Sequence, residues 1–329
     1  MYDDPRWDAE MRAARLTMDE AAAAFPAVVV AEPLDPVRAV NDSLAMRWAA
    51  GGPKMAETRE FWIGAHGRRV FCRLHRPAAP GPAPLLIWFH GGGWVWLTVD
   101  THDRLARELA LSGQAATLLV DYTLSPESRF PQALAECAKV TAAAAERAAE
   151  WGCDPARIVL GGDSAGGNLA FAAALALRDR TFGTPAVPLA GILAYYPVID
   201  PACATPTYAE FATGYGLTAE RMAAFWRLYL RHEADAANPL AALHHADLDG
   251  LPPCWLGLAE LDVLRAEGED FAARLRMARV ACELAVFPGL AHGFAMLTET
   301  VGAACASVAQ AGAWLRRLPL APPQPGDKS

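Results

Sequence analysis

The sequence predicts an α/β fold in which a mostly parallel central sheet is flanked by helices and covered by a helical cap. Short continuous apolar runs alternate with longer helical stretches along most of the chain, which is the pattern of a parallel sheet buried on both faces. One segment rich in aromatic residues, 202–232, interrupts this alternation between two candidate strands. An insertion at that point would lie over the strand ends, so we assign it to a cap.

The elements before the first parallel strand are of two kinds. Residues 1–50 are Ala-rich and helical in character, without a strong strand, and we assign them to the cap as well. Strand-like runs at 59–63 and 68–74 then flank Gly64-Ala65-His66-Gly67, which predicts a β-hairpin. The Pro- and Gly-rich stretch at 77–84 is expected to be a surface connection, because strand-like residues resume directly after it.

The remaining elements follow the alternation in order. Strands are predicted at 85–89, 115–120, 157–160, 190–195, 254–258 and 282–287, and helices at 101–111, 132–151, 165–177 and 266–277. The catalytic domain is therefore expected to comprise 51–201 and 233–320, with 202–232 as the cap insertion. The Pro-rich end, 321–329, is expected to be a flexible tail.

Composition excludes several classes of protein. With 53% hydrophobic and 20% charged residues, the 329-residue chain can bury a large core, so disorder is excluded. Lys and Arg number 29 against 37 Asp and Glu, and this acidic balance argues against a nucleic-acid partner.

The cysteines and the N-terminus indicate a cytoplasmic location. The seven cysteines are an odd number without a C-x-x-C pair, as expected for free thiols in a reducing compartment. The N-terminus is acidic, and the apolar stretch at 21–31 is interrupted by Pro26, so we expect neither a signal peptide nor a membrane span.

The strongest chemical signal is Gly162-Asp163-Ser164-Ala165-Gly166, between a predicted strand and a predicted helix. A sharp strand-to-helix turn presents a serine hydroxyl to a general base, and its crowding requires small residues two positions before and after. A helix N-terminus also directs backbone N–H groups toward developing negative charge. The motif therefore predicts Ser164 as a nucleophile.

A second signal, His90-Gly91-Gly92-Gly93-Trp94, directly follows the strand predicted at 85–89. Three consecutive glycines cost backbone entropy on folding, so some feature must require bare backbone at this point. Backbone N–H groups without an intervening Cβ are suited to bind an oxyanion.

A serine nucleophile needs a base and an orienting acid, which in this architecture follow it in the order acid, then histidine. His292, bracketed by Ala291 and Gly293 after the last predicted strand, is the favoured base. Three other downstream histidines lie in polar stretches and are disfavoured: His232, His244 and His245.

Three carboxylates compete for the orienting position. Asp262 is favoured because it lies just beyond the strand predicted at 254–258, where a side chain can reach a neighbouring loop. Glu260, two residues closer to that strand, is the rival, and Asp200 is a weaker one that fits a turn better.

Taken together, the motifs resemble those of the bacterial hormone-sensitive-lipase-like (family IV) esterases of the α/β-hydrolase fold. The resemblance covers about residues 60 to 296 and rests on HGGGW, DYTLSPE (121–127), GDSAGGNLA (162–170), LDVLRAEG and HGF. It implies a carboxylic-ester hydrolase, that is, a serine carboxylesterase, with Ser164, Asp262 and His292 as the triad. It also implies an oxyanion hole formed by the N–H groups of Gly92, Gly93 and Ala165.

The expected reaction is hydrolysis of short-to-medium acyl esters through an acyl-enzyme, with a small-molecule ester as partner and without a cofactor or metal. Two alternatives stay open: an acyltransferase or amidase that uses the same triad, and a non-catalytic small-molecule receptor. A homodimer is one assembly that the sequence allows.

Aromatic side chains near the motifs and in the cap could narrow the acyl pocket. The substrate-binding candidates are Trp94, Trp96, Tyr195, Phe211 and Tyr215, and Phe225 and Trp226 share their character. They favour acyl chains of roughly two to eight carbons.

Overall fold

The computed structural model describes residues 2–25, 34–78 and 81–320, and its centre is one eight-stranded sheet. The strands are β1 (Glu57–Ala65), β2 (Arg68–Arg76), β3 (Ala83–Phe89), β4 (Ala116–Asp121), β5 (Cys153–Asp163), β6 (Leu189–Tyr195), β7 (Cys254–Leu261) and β8 (Cys282–Ala291). Their spatial order is β1-β2-β4-β3-β5-β6-β7-β8. β1 and β2 are antiparallel to their neighbours, and the pairs from β4 to β8 are parallel. The predicted α/β fold with a mostly parallel sheet is confirmed.

Nine α-helices accompany the sheet in the described part of the chain. They are α1 (Ala9–Ala23), α2 (Asp35–Ala49), α3 (Asp103–Gly113), α4 (Gln132–Arg147), α5 (Ala165–Arg178), α6 (Pro206–Glu210), α7 (Ala219–Tyr229), α8 (Arg265–Met277) and α9 (Gly302–Arg317). α3 packs on α9, whereas α4 packs on α5. The rings of Phe171 and Phe271 meet edge to face at 4.9 Å and join α5 to α8.

The parallel strands are buried because helices cover both faces of the sheet. All seven residues of β3 and all seven of β6 are buried. α5 is enclosed on all sides: every residue from Ala165 to Leu177 is buried, and Asn168, its one buried amide side chain, donates to Val198 O and Ala241 O. The nucleophile motif thus begins a helix that is fixed on all sides.

Several predicted boundaries need correction. β7 continues to Leu261 and β8 to Ala291, so Asp262 and His292 directly follow their strands. The helix predicted at 132–151 ends at Arg147 and is followed by a short 3₁₀ turn at 149–151. The C-terminal helix α9 was not predicted as an element.

The remaining expectations concern the N-terminal region, the tail and the membrane. Residues 1–50 contain the two helices α1 and α2, and 202–232 contains α6 and α7. The predicted tail, 321–329, and most of the apolar stretch at 21–31 lie outside the described residues. Among the residues that are described, no helix combines the length and apolarity that a bilayer crossing requires.

Candidate active site

Ser164 occupies a strained turn between β5 and α5. Its backbone has φ 55° and ψ −119°, a region that residues with a Cβ rarely adopt. The small neighbours are required sterically, because a Cβ at Gly166 would overlap the carbonyl oxygen of Phe89. Ser164 N–H donates to Tyr195 O at 2.9 Å, which holds the turn against β6. The sequence therefore builds the nucleophile elbow that the motif predicts.

The structure brings Ser164, His292 and Asp262 into one hydrogen-bonded chain. His292 Nδ1 lies 2.7 Å from Asp262 Oδ2, and His292 Nε2 lies 3.0 Å from Ser164 Oγ. A carboxylate can only accept, so Nδ1–H donates to Asp262 and the neutral Nε2 accepts from the serine hydroxyl. Asp262 is itself oriented, since its Oδ1 accepts from Leu264 N at 3.1 Å. This arrangement can remove a proton from Ser164.

The rival carboxylates have other partners. Glu260 lies within β7, and its Oε2 accepts from the N–H of Gly289 in β8 at 2.7 Å. Asp200 accepts from Ala202 N at 2.9 Å in a turn, and its Oδ1 lies 3.2 Å from His244 Nδ1. Neither carboxylate is hydrogen-bonded to His292, so of the three candidates only Asp262 contacts it.

The glycine loop after β3 lies beside the elbow. Gly92 and Gly93 line the same cavity as Ser164 and His292. Gly92 has φ 115°, and a Cβ there would overlap the carbonyl oxygen of Trp96, so only glycine fits. The Gly92 carbonyl accepts from Val95 N and Trp96 N, both at 3.1 Å, which ties the loop into a tight turn.

A buried polar cluster behind this loop was not singled out from the sequence. Asp163 Oδ1 accepts from Gly91 N at 3.0 Å, and His102 Nε2 lies 3.3 Å from Asp163 Oδ2. Burial alone would raise the pKa of Asp163, but His102 and the Gly91 amide outweigh it and hold that pKa below its usual value. An ionised Asp163 thus links the nucleophile turn to the glycine loop.

His90 completes this cluster as a neutral residue. Complete burial lowers the pKa of His90 to about 3. Its Nδ1–H donates to Gly91 O at 2.7 Å, and its ring stacks on Tyr122 with centroids 4.4 Å apart. The sequence held one signal for this cluster: Asp163, a charged residue, directly precedes the nucleophile in a stretch otherwise composed of small residues.

The site opens into a cavity of about 460 Å³, a size typical of small-molecule pockets. Its walls come from the sheet edge, from α1 and α2, and from the insertion at 202–232. The apolar side chains that line it are Met18, Leu44, Trp48, Trp96, Leu97, Leu217, Phe225, Met296 and Leu297. The polar and charged ones include Arg15, Asp19, Asn41, Ser43, Arg47 and Arg221.

Of the five aromatic residues expected to contact substrate, Trp96 alone lines this cavity. Trp94 is fully buried and stacks on Tyr229 at 4.1 Å. Tyr195 is fully buried in β6, edge-on to Trp255 at 5.1 Å.

The two cap residues among the five also lie outside the lining. Phe211 is fully buried, with Arg6 and Arg265 over its ring. Tyr215 stacks on Trp7, and its hydroxyl donates to Asp4 at 2.7 Å. Trp94, Tyr195, Phe211 and Tyr215 therefore support the core and the cap, and the expectation that they contact substrate is corrected.

Phe225 is the aromatic lining residue supplied by the cap. It packs edge to face on Trp96 with centroids 4.7 Å apart. A Cβ at Gly93 would overlap its ring, so the bare glycine loop lets α7 approach the site closely.

Comparisons with known proteins show the family to which the chain belongs. A family model described as the α/β-hydrolase fold matches residues 86–296. The carboxylic ester hydrolase LipN of Mycobacterium tuberculosis is 36% identical over 264 residues, which cover 78% of this chain and 70% of that protein.

Solved structures are similar over nearly the whole chain. A thermostable esterase from Pseudomonas putida has a TM-score of 0.86 at 33% identity, covering 96% of this chain and 99% of its own. A hyperthermophilic esterase from the archaeon Pyrobaculum calidifontis has a TM-score of 0.86 at 30% identity, covering 92% and 97%. The chain therefore belongs to the α/β-hydrolase family and, within it, to the hormone-sensitive-lipase-like esterases.

Proposed function

We propose that this protein hydrolyses carboxylic esters with short-to-medium acyl chains by acyl transfer through Ser164, with His292 as general base and Asp262 as its orienting acid. Family membership makes the protein a serine carboxylesterase. The observation that carries the assignment of roles is the continuous hydrogen-bond chain from Ser164 Oγ through His292 to Asp262 at the floor of the cavity.

The proposed reaction has two half-reactions. Ser164 Oγ attacks the ester carbonyl while His292 Nε2 takes its proton, and the tetrahedral intermediate collapses with the alcohol leaving and receiving that proton. Water then attacks the acyl-enzyme, again losing a proton to His292, and the carboxylic acid leaves as Ser164 is regenerated. Asp262 keeps the imidazole in the required tautomer and stabilises the imidazolium that forms in each half.

We assign stabilisation of the oxyanion to the N–H groups of Gly92, Gly93 and Ala165. Ala165 is the first residue of α5, so its amide has no acceptor within the helix and lies at the positive end of the helix dipole. Gly92 and Gly93 line the cavity beside Ser164. Fixed donors of this kind stabilise the charge that develops on the carbonyl oxygen.

Replacing Gly92 with alanine is expected to lower kcat by about 10²- to 10³-fold, because the loop must move to relieve the overlap with Trp96 O and would lose an oxyanion donor. Steady-state hydrolysis of p-nitrophenyl butyrate measures this change.

Gly67→Ala is the matched control for that variant. Gly67 also has a positive φ, 82°, but it lies in the β1–β2 turn with open space around a Cβ. The Gly67→Ala variant should alter stability without altering kcat. If Gly92→Ala keeps the wild-type kcat, the glycine loop does not stabilise the oxyanion.

The size and lining of the cavity support short-to-medium acyl chains. Trp96 and Phe225 meet edge to face in its wall, and both are largely buried, which limits the space beside the nucleophile.

Truncation at Phe225 is expected to move the preferred acyl chain to greater length. Phe225→Ala enlarges the cavity, and each methylene newly accommodated should raise kcat/KM roughly fourfold relative to wild type. A series of p-nitrophenyl esters from acetate to palmitate measures the optimum. Tyr215→Phe serves as the comparison, because Tyr215 lies outside the lining and its profile should match wild type. An unchanged optimum in Phe225→Ala would exclude it from the acyl pocket.

The same ester series tests the function itself. Hydrolysis should peak at a short or medium chain, and a fluorophosphonate probe should label the peptide that contains Ser164. Addition of an alcohol acceptor tests the acyltransferase alternative, since ester exchange would then replace hydrolysis. A laurate or palmitate optimum would overturn the chain-length proposal.

Location and assembly remain part of the proposal. The cytoplasmic assignment is supported by the seven cysteines, all of which are free thiols. A homodimer stays a prediction, which light scattering of the purified protein would test.

A further inference from the structure

Two arginines on the cap side line the cavity that contains the nucleophile. Arg15 belongs to α1 and Arg221 to α7, so they come from the two separate parts of the cap. Their guanidinium groups meet at Gly216: Arg221 Nη1 faces Gly216 O at 3.5 Å, and a Cβ on Gly216 would lie 3.4 Å from Arg15 Cζ. Two positive charges therefore converge in one wall of the site.

Of the two guanidinium groups, only that of Arg15 is paired with a carboxylate among the described residues. Arg15 Nη2 donates to Asp19 Oδ1 at 2.8 Å, and its buried Nε has no hydrogen-bond partner. Asp19 is 45% exposed and also accepts from the hydroxyl of Tyr2. Within residues 2–25, 34–78 and 81–320, Arg221 forms no ion pair. Among the described residues, about one positive charge in the cavity wall is thus left without a carboxylate partner.

The environment makes this charge unfavourable in the free protein. Burial lowers the pKa of Arg221, and the neighbouring Arg15 lowers it further, while Asp19 offsets only part of the effect. Arg221 is half-buried, and a charge withdrawn from water without a counter-ion is costly; an anion that binds it with well-placed hydrogen bonds offsets that cost.

Other charged groups of the lining do not supply that anion. Asp163 is engaged by Gly91 N and His102. Arg47 is exposed and adds a further positive charge at the margin of the cavity. The lining also contains the hydrogen-bonding side chains of Thr17, Asn41 and Ser43, which suit a polar group of a ligand.

We propose that Arg15 and Arg221 bind a carboxylate carried by the substrate, so that the enzyme prefers esters that bear a carboxylate remote from the scissile bond. Guanidinium groups match the planar geometry of a carboxylate. One unpaired positive charge fits a monoanion better than a doubly charged phosphate monoester. The inference rests on the proposed ester hydrolysis and adds a substrate class to it.

The test compares carboxylate esters with carboxamide esters of the same shape. In the first pair, mono-p-nitrophenyl adipate carries the charge on the acyl side and p-nitrophenyl adipamate is its neutral counterpart. In the second pair, 4-acetoxybenzoate carries the charge on the alcohol side and 4-acetoxybenzamide is its neutral counterpart. The measured quantity is the ratio of kcat/KM for carboxylate over carboxamide. In wild type, one of the two pairs should show a ratio well above one.

Arg221→Gln should lower that ratio at least about tenfold, because the carboxylate loses a charged partner and the carboxamide has no charge to lose. Arg221→Lys, which keeps the charge but loses the planar fork, should retain part of the preference. Arg12→Gln is the matched control, because Arg12 lies exposed on α1 outside the lining and its ratio should equal wild type.

A measurement on wild type alone gives a second test, independent of whether any variant folds. Raising the salt concentration should lower the ratio, because ions screen the attraction between the arginines and the carboxylate. The inference is wrong if neither pair shows a preference for the carboxylate, or if Arg221→Gln and the Arg15→Gln/Arg221→Gln double variant both keep the wild-type ratio. If wild type hydrolyses none of the four esters and none of the p-nitrophenyl series, that result would instead contradict the proposed function.

Discussion

Replacement of Ser164 with alanine is expected to lower kcat for ester hydrolysis by about a million-fold, to the rate that binding and the oxyanion donors support without a nucleophile. The change removes one oxygen, and the backbone bonds that fix the turn, such as Ser164 N–H to Tyr195 O, are unaffected. Stability should therefore stay within about 0.5–1 kcal/mol of wild type.

The measurement is hydrolysis of p-nitrophenyl butyrate together with fluorophosphonate labelling, with circular dichroism and thermal unfolding as folding checks. Ser128→Ala provides a matched control, because Ser128 lies outside the cavity and its hydroxyl has no hydrogen bond in the described structure. Residual turnover within a hundredfold of wild type in a folded, contaminant-free Ser164→Ala protein would refute Ser164 as the nucleophile.

Conversion of Asp262 to asparagine is expected to lower kcat by about ten-thousand-fold through the tautomer of His292. Leu264 N–H donates to Asp262 Oδ1, so the asparagine oxygen is held there and its NH₂ group turns to His292 Nδ1. A donor at that position requires Nδ1 without a proton, which moves the proton to Nε2. His292 could then no longer accept the proton of Ser164.

Glu260→Gln is the discriminating control for that variant. An amide oxygen can still accept from Gly289 N, so the link between β7 and β8 is kept and kcat should change less than about threefold. pH–rate profiles are measured for both variants. A change in the catalytic base alters the shape of the profile, whereas a loss of fold lowers the rate at every pH. A large loss in Glu260→Gln with near-normal activity in Asp262→Asn would reverse the assignment of the acid.

The motifs could be interpreted from the sequence because their requirements are local. The turn at Ser164 needs small residues at fixed offsets, and a Cβ on Gly162 would overlap the backbone of Gly166 within the same turn. The position of Asp262 and His292 also follows from order along the chain, since the carboxyl ends of parallel strands meet at one edge.

The sequence alone could not show which of several similar side chains lines the cavity. Trp94 and Trp96 are two residues apart and equally aromatic, yet Trp94 stacks on Tyr229 in the core and Trp96 lines the cavity. The difference depends on where α7 packs. Asp163 was likewise not recognised as the link to the glycine loop, because its partners Gly91 and His102 lie 72 and 61 residues away in sequence.

The sequence by itself determined the α/β class, the order along the chain in which an acid and a histidine follow the nucleophile, and the small residues that the elbow demands, because each can be inferred from short segments and their succession. The tertiary structure alone decided which aromatic side chains face the cavity and that Arg15 and Arg221 meet at Gly216. These outcomes depend on packing between segments far apart in the chain, and the physical chemistry of one segment does not specify the surface against which another will lie.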